Sequence, residues 1–295
     1  MSRKHYLFKS GPFIFNIETP IKGVQRYLEN HYHNQFVSPS DDVFIDYDVA
    51  VEHGPLYRRL FAPQAVFLFN KRSPFKPLPL DQAHAMLEWG MNWVISSTAN
   101  QYLIIHAATL EKDGKAIIIS APPGSGKSTL CAYLASNGWR LLSDELALVD
   151  PKTLKVYGLA RPMNMKNKSI ELMRKYYAPD QFSAVATDTH KGTVCLLKAP
   201  QESAELCNIP AEPKLLVFVS YQANEACYSE MISPAKALTE IIGNTFNFGL
   251  LGTEGFETAK RLVDKTDAVY IEYSSFESCE EAISQALLTQ RLACP

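Results

Sequence analysis

Lys115-Ala-Ile-Ile-Ile-Ser-Ala-Pro-Pro-Gly-Ser-Gly-Lys-Ser-Thr-Leu130 is the stretch whose reading decides the fold. Ala116 to Ile119 is an apolar, β-branched run and reads as a strand. Small residues follow, ending in Gly126-Lys127-Ser128-Thr129, and a helical pattern begins at Leu130, Leu134 and Ala135. Strand, glycine-rich turn and helix are the setting of a P-loop. Successive backbone N–H groups of such a loop point at one polyphosphate, and the helix N-terminus adds the positive end of its dipole. The nucleotide-binding residues expected here are Pro123, Gly124, Ser125, Gly126, Lys127, Ser128 and Thr129. Lys127 would reach the β/γ-phosphates, and the Ser128 hydroxyl would help hold Mg²⁺. Ala121 stands where the first glycine of the pattern is usual. Its methyl disfavours positive φ, whereas Gly124 and Gly126 remain where the backbone must approach a ligand closely.

The rest of the chain excludes several classes. Its 295 residues are 46% hydrophobic, enough for one large domain or two ordinary ones. A net charge of −2 with no run of like charge argues against a nucleic-acid surface. No apolar run approaches the ~18 residues of a membrane span, and the first residues lack a signal-peptide core. Cys131, Cys195, Cys207, Cys227, Cys279 and Cys294 form no C-x-x-C pair, which reads as thiols in a reducing, cytoplasmic setting without zinc.

Residues 1–100 read as an N-terminal α+β lobe, and residues 101–295 as a P-loop domain. Phe13 to Glu18 and Asp42 to Val51 alternate as strands, and Arg58 to Pro63 with Ala65 to Phe69 suggests a strand pair. A helix is expected from Leu80 to Thr98, with Asp81 as its cap. Tyr102 to Leu110 reads as one strand. The turn Lys112-Asp-Gly-Lys115 then makes a hairpin with the loop strand. Trp139 to Val149 reads as strand, acidic turn, strand.

Asp144 and Glu145, following a short apolar strand just after the P-loop helix, stand where a metal-binding acid is expected. One acid can balance the metal, and the other can accept the proton of an attacking hydroxyl. Adjacent acids on an extended chain point to opposite sides, so a turn or bulge must bring both to one site. Arg161, Lys166 and Lys191 sit beside turn residues and are candidates to contact non-bridging phosphate oxygens, with ordinary surface cations as the alternative. Asn164 and Asn167 read as turn formers, Asn244 and Asn247 as structural, and Tyr221-Gln222 as a candidate lining of the site.

His106, a hairpin, a P-loop and an acidic pair at these intervals resemble HPr kinase/phosphorylase. Over nearly its whole length the chain resembles the group called HprK-related kinase A. The matching pieces are Leu103-Ile-Ile-His-Ala-Ala108, Ala121 to Leu130, Gly138-Trp-Arg-Leu-Leu-Ser-Asp-Glu145, Ala160-Arg-Pro162, Lys166-Asn167 with Ser169-Ile170, Lys191-Gly-Thr193, and Phe246-Asn247 with Leu250-Leu-Gly252. The resemblance implies an α/β fold: a mixed-sheet P-loop kinase domain of the HPr kinase/phosphoenolpyruvate carboxykinase type. It implies Lys127 and Ser128 on nucleotide and metal, Asp144 on metal, Glu145 as general base, and His106 beside the acid. The chain has Glu145 where that family pairs two Asp residues. It also lacks the acidic-Ile-Arg-Gly run of HPr kinases, which leaves HPr as acceptor and the reverse phosphorylase reaction open.

The expected activity is therefore an ATP- and Mg²⁺-dependent kinase acting on a hydroxyl, best read as Ser of a peptide or small protein. A small-molecule hydroxyl kinase and a nucleotide-gated regulatory protein with slow hydrolysis are the alternatives. The reading leaves room for a homo-oligomer.

Overall fold

A computed structural model describes residues 3–40, 43–58, 61–122 and 124–289. The chain is mixed α/β with several mixed sheets. It divides into two compact units: residues 1–95 with 160–208, and residues 96–159 with 209–295. Residues 160–208 thus group with the N-terminal segment, and not with the glycine-rich loop as a boundary at residue 100 would have it.

The first unit holds a five-stranded sheet in the order Lys4–Ser10, Phe13–Thr19, Tyr47–His53, Gln64–Phe69 and Leu78–Pro79. Phe13–Thr19 alternates buried and half-buried residues along its length, as its sequence predicts. Three expectations change. The strand expected from Asp42 begins at Tyr47, and Asp42 itself lies outside the described residues. Arg58 closes a 3₁₀ turn and Arg59-Leu60 lie outside the described residues, so Gln64–Phe69 pairs instead with Tyr47–His53. Asp81 falls inside a 3₁₀ turn, Leu80–Gln82, with no side-chain cap, and the α-helix runs Ala83–Thr98. A second, antiparallel sheet orders Met163–Lys166, Gly192–Leu197 and Ala186–Thr189.

The second unit is built on a six-stranded sheet in the order Tyr228–Met231, Asp267–Tyr273, Glu212–Tyr221, Lys115–Ser120, Ala108–Lys112 and Arg140–Ser143. The loop strand Lys115–Ser120 is parallel to Glu212–Tyr221 on one side. It is antiparallel to Ala108–Lys112 on the other, across the turn Asp113-Gly114. Both turn residues have positive φ, +53° and +78°, as a two-residue hairpin turn matched to strand twist demands. Leu103, Ile105, Ile118, Leu216, Ile241 and Leu262 belong to one continuous apolar core of this unit.

One sequence reading is split by the structure. Tyr102 to Leu110 is not a single strand. Leu103–His106 pairs with Leu146–Val149 in a separate three-stranded sheet, and Ala108–Lys112 joins the six-stranded one. The chain 140–149 crosses between the same two sheets at the same level. His106 pairs with Leu146 and Thr109 with Ser143, so Asp144-Glu145 lies across from Ala107-Ala108. Other groups satisfy the backbone at these breaks. The His106 N–H donates to the Asn244 carbonyl at 2.7 Å. The Ser143 hydroxyl accepts the N–H of Leu146 at 3.0 Å and that of Glu145 at 3.4 Å.

Candidate functional site

The strand order brings three parallel C-terminal ends together. Phe218 pairs with Ser120 and Tyr221 with Tyr273, so the ends of all three parallel strands lie at the edge where the glycine-rich loop begins. In open α/β sheets this edge is the usual place for a ligand. The loop turns on Gly124 and Gly126, with φ of +88° and +84°, while Ala121 keeps a negative φ and so tolerates its methyl. Pro123 lies outside the described residues. The Ser125 N–H donates to the Pro122 carbonyl at 3.2 Å.

The helix Lys127–Ser136 starts at Gly126 without a side-chain cap. Its first N–H groups therefore have no side chain of the cap position to serve, which is the arrangement that suits an anion. Ser128 and Thr129 occupy its first turn, half-buried. Lys127 is only 9% exposed, and its Nζ donates to the backbone carbonyl of Asp144 at 3.4 Å. The loop lysine and the acidic pair, seventeen residues apart, thus converge. Cys131, one turn along the helix, reports the same neighbourhood. Burial pushes its thiol well up, the Asp144 carboxylate pushes it further, and Lys127 opposes.

The turn needed for both acids is present. The Ser143 hydroxyl bends the chain, leaving Asp144 5% exposed and Glu145 half-buried. Asp144 and the Ser128 hydroxyl offer the hard oxygen donors that suit Mg²⁺. His106 sits across from Leu146, one residue beyond Glu145, with its ring tilted against Phe246 at 5.6 Å. Backbone register thus makes His106 a neighbour of the acidic turn.

The remaining candidates are held in other ways. The Arg161 guanidinium is buried in the first unit. Its Nη2 donates to Glu88 Oε2 and to the Glu88 carbonyl, each at 2.8 Å. The Tyr27 and Tyr32 hydroxyls donate to Glu88 Oε1 at 2.8 and 2.6 Å. Lys191, in the same unit, lies 5.4 Å over the Trp89 ring. Asn167 has a φ of +51° and accepts the Thr193 N–H at 3.0 Å, as a turn former does. Asn247 is fully buried, accepts the Ile104 N–H at 3.0 Å and donates to the Tyr102 carbonyl at 2.8 Å, a structural tie.

Tyr273 is the residue that sequence reasoning misses. It ends a parallel strand at the loop edge and is fully buried. A Cβ on Gly126 would meet its hydroxyl at 3.1 Å, and that hydroxyl has no hydrogen-bond partner among the described residues. Burial pushes its phenol pKa up, so it stays protonated. The half-exposed Tyr221 packs edge-on against it, ring centroids 5.7 Å apart. The available signal is positional: both tyrosines close apolar strands that run parallel to the loop strand.

The model of a family described as SynChlorMet cassette protein ScmC matches residues 78–166, less than half of the chain. That stretch contains the glycine-rich loop and the acidic pair. Among solved structures, the Hpr(Ser) kinase/phosphatase from Coxiella burnetii is similar at a TM-score of 0.30 and 13% identity, over 63% of this chain and 96% of that one. The likeness is weak. No curated protein matches. Among the described residues, no helix is long and apolar enough to cross a membrane.

Proposed function

We propose that the second unit binds Mg·ATP at residues 121–129 and transfers the γ-phosphoryl group to a hydroxyl, Ser of a peptide or small protein being the best reading of the acceptor. One observation carries this reading: the buried Lys127 ammonium rests on the carbonyl of Asp144, so the loop and the acidic turn converge on one place. The resemblance to HprK-related kinase A supports it and supplies the class of acceptor. Lys127 neutralises the transferred phosphoryl oxygens. Glu145 accepts the acceptor's proton as its oxygen bonds to phosphorus, and the bond to the departing ADP oxygen breaks. Ser128 and Asp144 would hold Mg²⁺, which when bound neutralises charge on the β/γ-phosphate oxygens. His106 orients the acidic turn. Arg161 and Lys191, engaged with Glu88 and Trp89, take no part in this reading.

A small-molecule hydroxyl acceptor is the second reading. It draws on a cavity of about 400 Å³ beginning at Ser120, Ala121 and Pro122 and walled by Lys236, Glu240 and Tyr270.

The test measures nucleotide affinity by calorimetry and transfer of labelled phosphate into a cell lysate, separated into protein and small-molecule fractions. Lys127→Ala loses a charged contact and should bind ATP about 10–100-fold more weakly. Glu145→Gln should keep ATP affinity and lose about 10²–10⁴ in turnover. Unchanged affinity and turnover in Lys127→Ala would sink the proposal. Label appearing only in the small-molecule fraction would favour the second reading.

A further inference from the structure

A cavity of about 360 Å³ lies within the first unit, and none of the residues used above for phosphoryl transfer lines it. Its walls are aromatic: Trp89, Trp93 and Phe75, with the Phe75 and Trp93 rings edge-to-face at 5.3 Å. Leu78 and Met86 add apolar surface, and three basic side chains, Lys76, His190 and Lys191, complete the lining; no described lining residue is acidic. The Lys191 ammonium stands 5.4 Å over the Trp89 ring, and the His190 ring meets Trp89 edge-on at 5.1 Å.

From these features we infer that the cavity is a binding site for a small aromatic carboxylate. Each part of the lining answers one part of such a ligand. The aromatic walls take a flat ring by stacked and edge-on contact. The cations take the carboxylate. The volume sits at the small end of ligand cavities, about 300–1,000 Å³, which suits one ring with a short acidic arm.

The probe is 3-phenylpropanoate, with 3-phenylpropanol as its neutral counterpart and propanoate as the acid without a ring. The chain has three tryptophans, and two of them line the cavity, so fluorescence of the Trp139→Phe protein reports the site directly. Ligand-observed NMR gives a second readout. The expected result is saturable binding of 3-phenylpropanoate at least ~10-fold tighter than of either control, since a charge-assisted contact and the ring contact are each lost separately. Lys191→Gln, a change at an exposed position, should remove most of the preference for the acid over the alcohol. Trp89→Phe shortens the aromatic wall and should weaken both ring-bearing probes. Equal affinity for acid and alcohol, no saturable binding up to the solubility limit, or an unchanged preference in Lys191→Gln would overturn the inference.

Discussion

Removing the Glu88 carboxylate should destabilise the first unit more than any exposed substitution. Glu88 and Arg161 have side chains only 4% and 7% exposed. Glu88→Ala strands the guanidinium in a site where burial works against its charge and Glu88 is the counter-charge that offsets it. Breaking a buried pair by deleting one partner costs about 3–5 kcal/mol. The Tyr27 and Tyr32 hydroxyls lose their acceptor in the same step. For a body of this size each kcal/mol moves the melting midpoint by about 2–4 °C, so a fall of about 6–20 °C is expected. Fluorescence of the Trp139→Phe protein follows the first unit, because Trp89 and Trp93 both lie there. Arg161→Met combined with Glu88→Leu removes both charges and should recover part of the loss, since much of the penalty is the unpaired charge. Glu88→Ala melting within about 2 °C of the native chain, or a double variant less stable than Glu88→Ala, would refute the reasoning. Arg161→Lys should likewise melt early; loss of ATP affinity there with no change in melting would return Arg161 to the phosphates.

Three further outcomes are expected. Burial pulls the His31 imidazole down to about 4, with Lys198 and His84 adding to the effect. The unfolded chain therefore binds the proton first, and stability is lost as pH falls from about 6.5 toward 4, by about 2 kcal/mol at pH 5. Urea midpoints at pH 7 and pH 5 should differ accordingly and the gap should narrow in His31→Gln, with the buried His84 supplying a remainder; equal midpoints in the native chain refute this. Tyr273→Phe deletes a buried hydroxyl that has no partner among the described residues and should raise the unfolding free energy of the second unit by about 1 kcal/mol or more; a less stable variant would mean the hydroxyl has a partner. His106→Ala should cut turnover by about 10–100-fold without loss of ATP binding, and a stable phosphohistidine at position 106 after incubation with ATP would contradict its role as an orienting residue.

What the sequence makes legible here is local. The loop, its helix and the Asp113-Gly114 hairpin follow from residues within a few positions of one another, and positive φ falls on Asp113, Gly114, Gly124 and Gly126 as steric rules require. The placement of Asp144 and Glu145 in a turn is legible as a requirement, but its agent, the Ser143 hydroxyl, is not distinguishable from any other serine. Long-range partners are illegible. Arg161 reads as a cation beside a proline because its partner Glu88 is 73 residues earlier. Tyr102 to Leu110 reads as one strand because the carbonyl of Asn244 that takes the His106 N–H is far along the chain. Tyr273 reads as an ordinary strand residue until strand order puts it beside Gly126.

The order in which the strands are synthesised gives the loop a distinctive history. The first unit has all of its chain once Asn208 has been made, although the loop hairpin, residues 108–120, was made long before. The parallel partner of that hairpin, Glu212–Tyr221, comes only afterward, and Asp267–Tyr273 later still. On the ribosome, one edge of Lys115–Ser120 therefore waits unpaired, with the fully apolar Ile117, Ile118 and Ile119 in it. Such an edge invites pairing with another chain. A nascent chain halted after residue 208 should accordingly hold a folded first unit and an adhesive hairpin, and the loop should acquire its final form only when the last strand arrives.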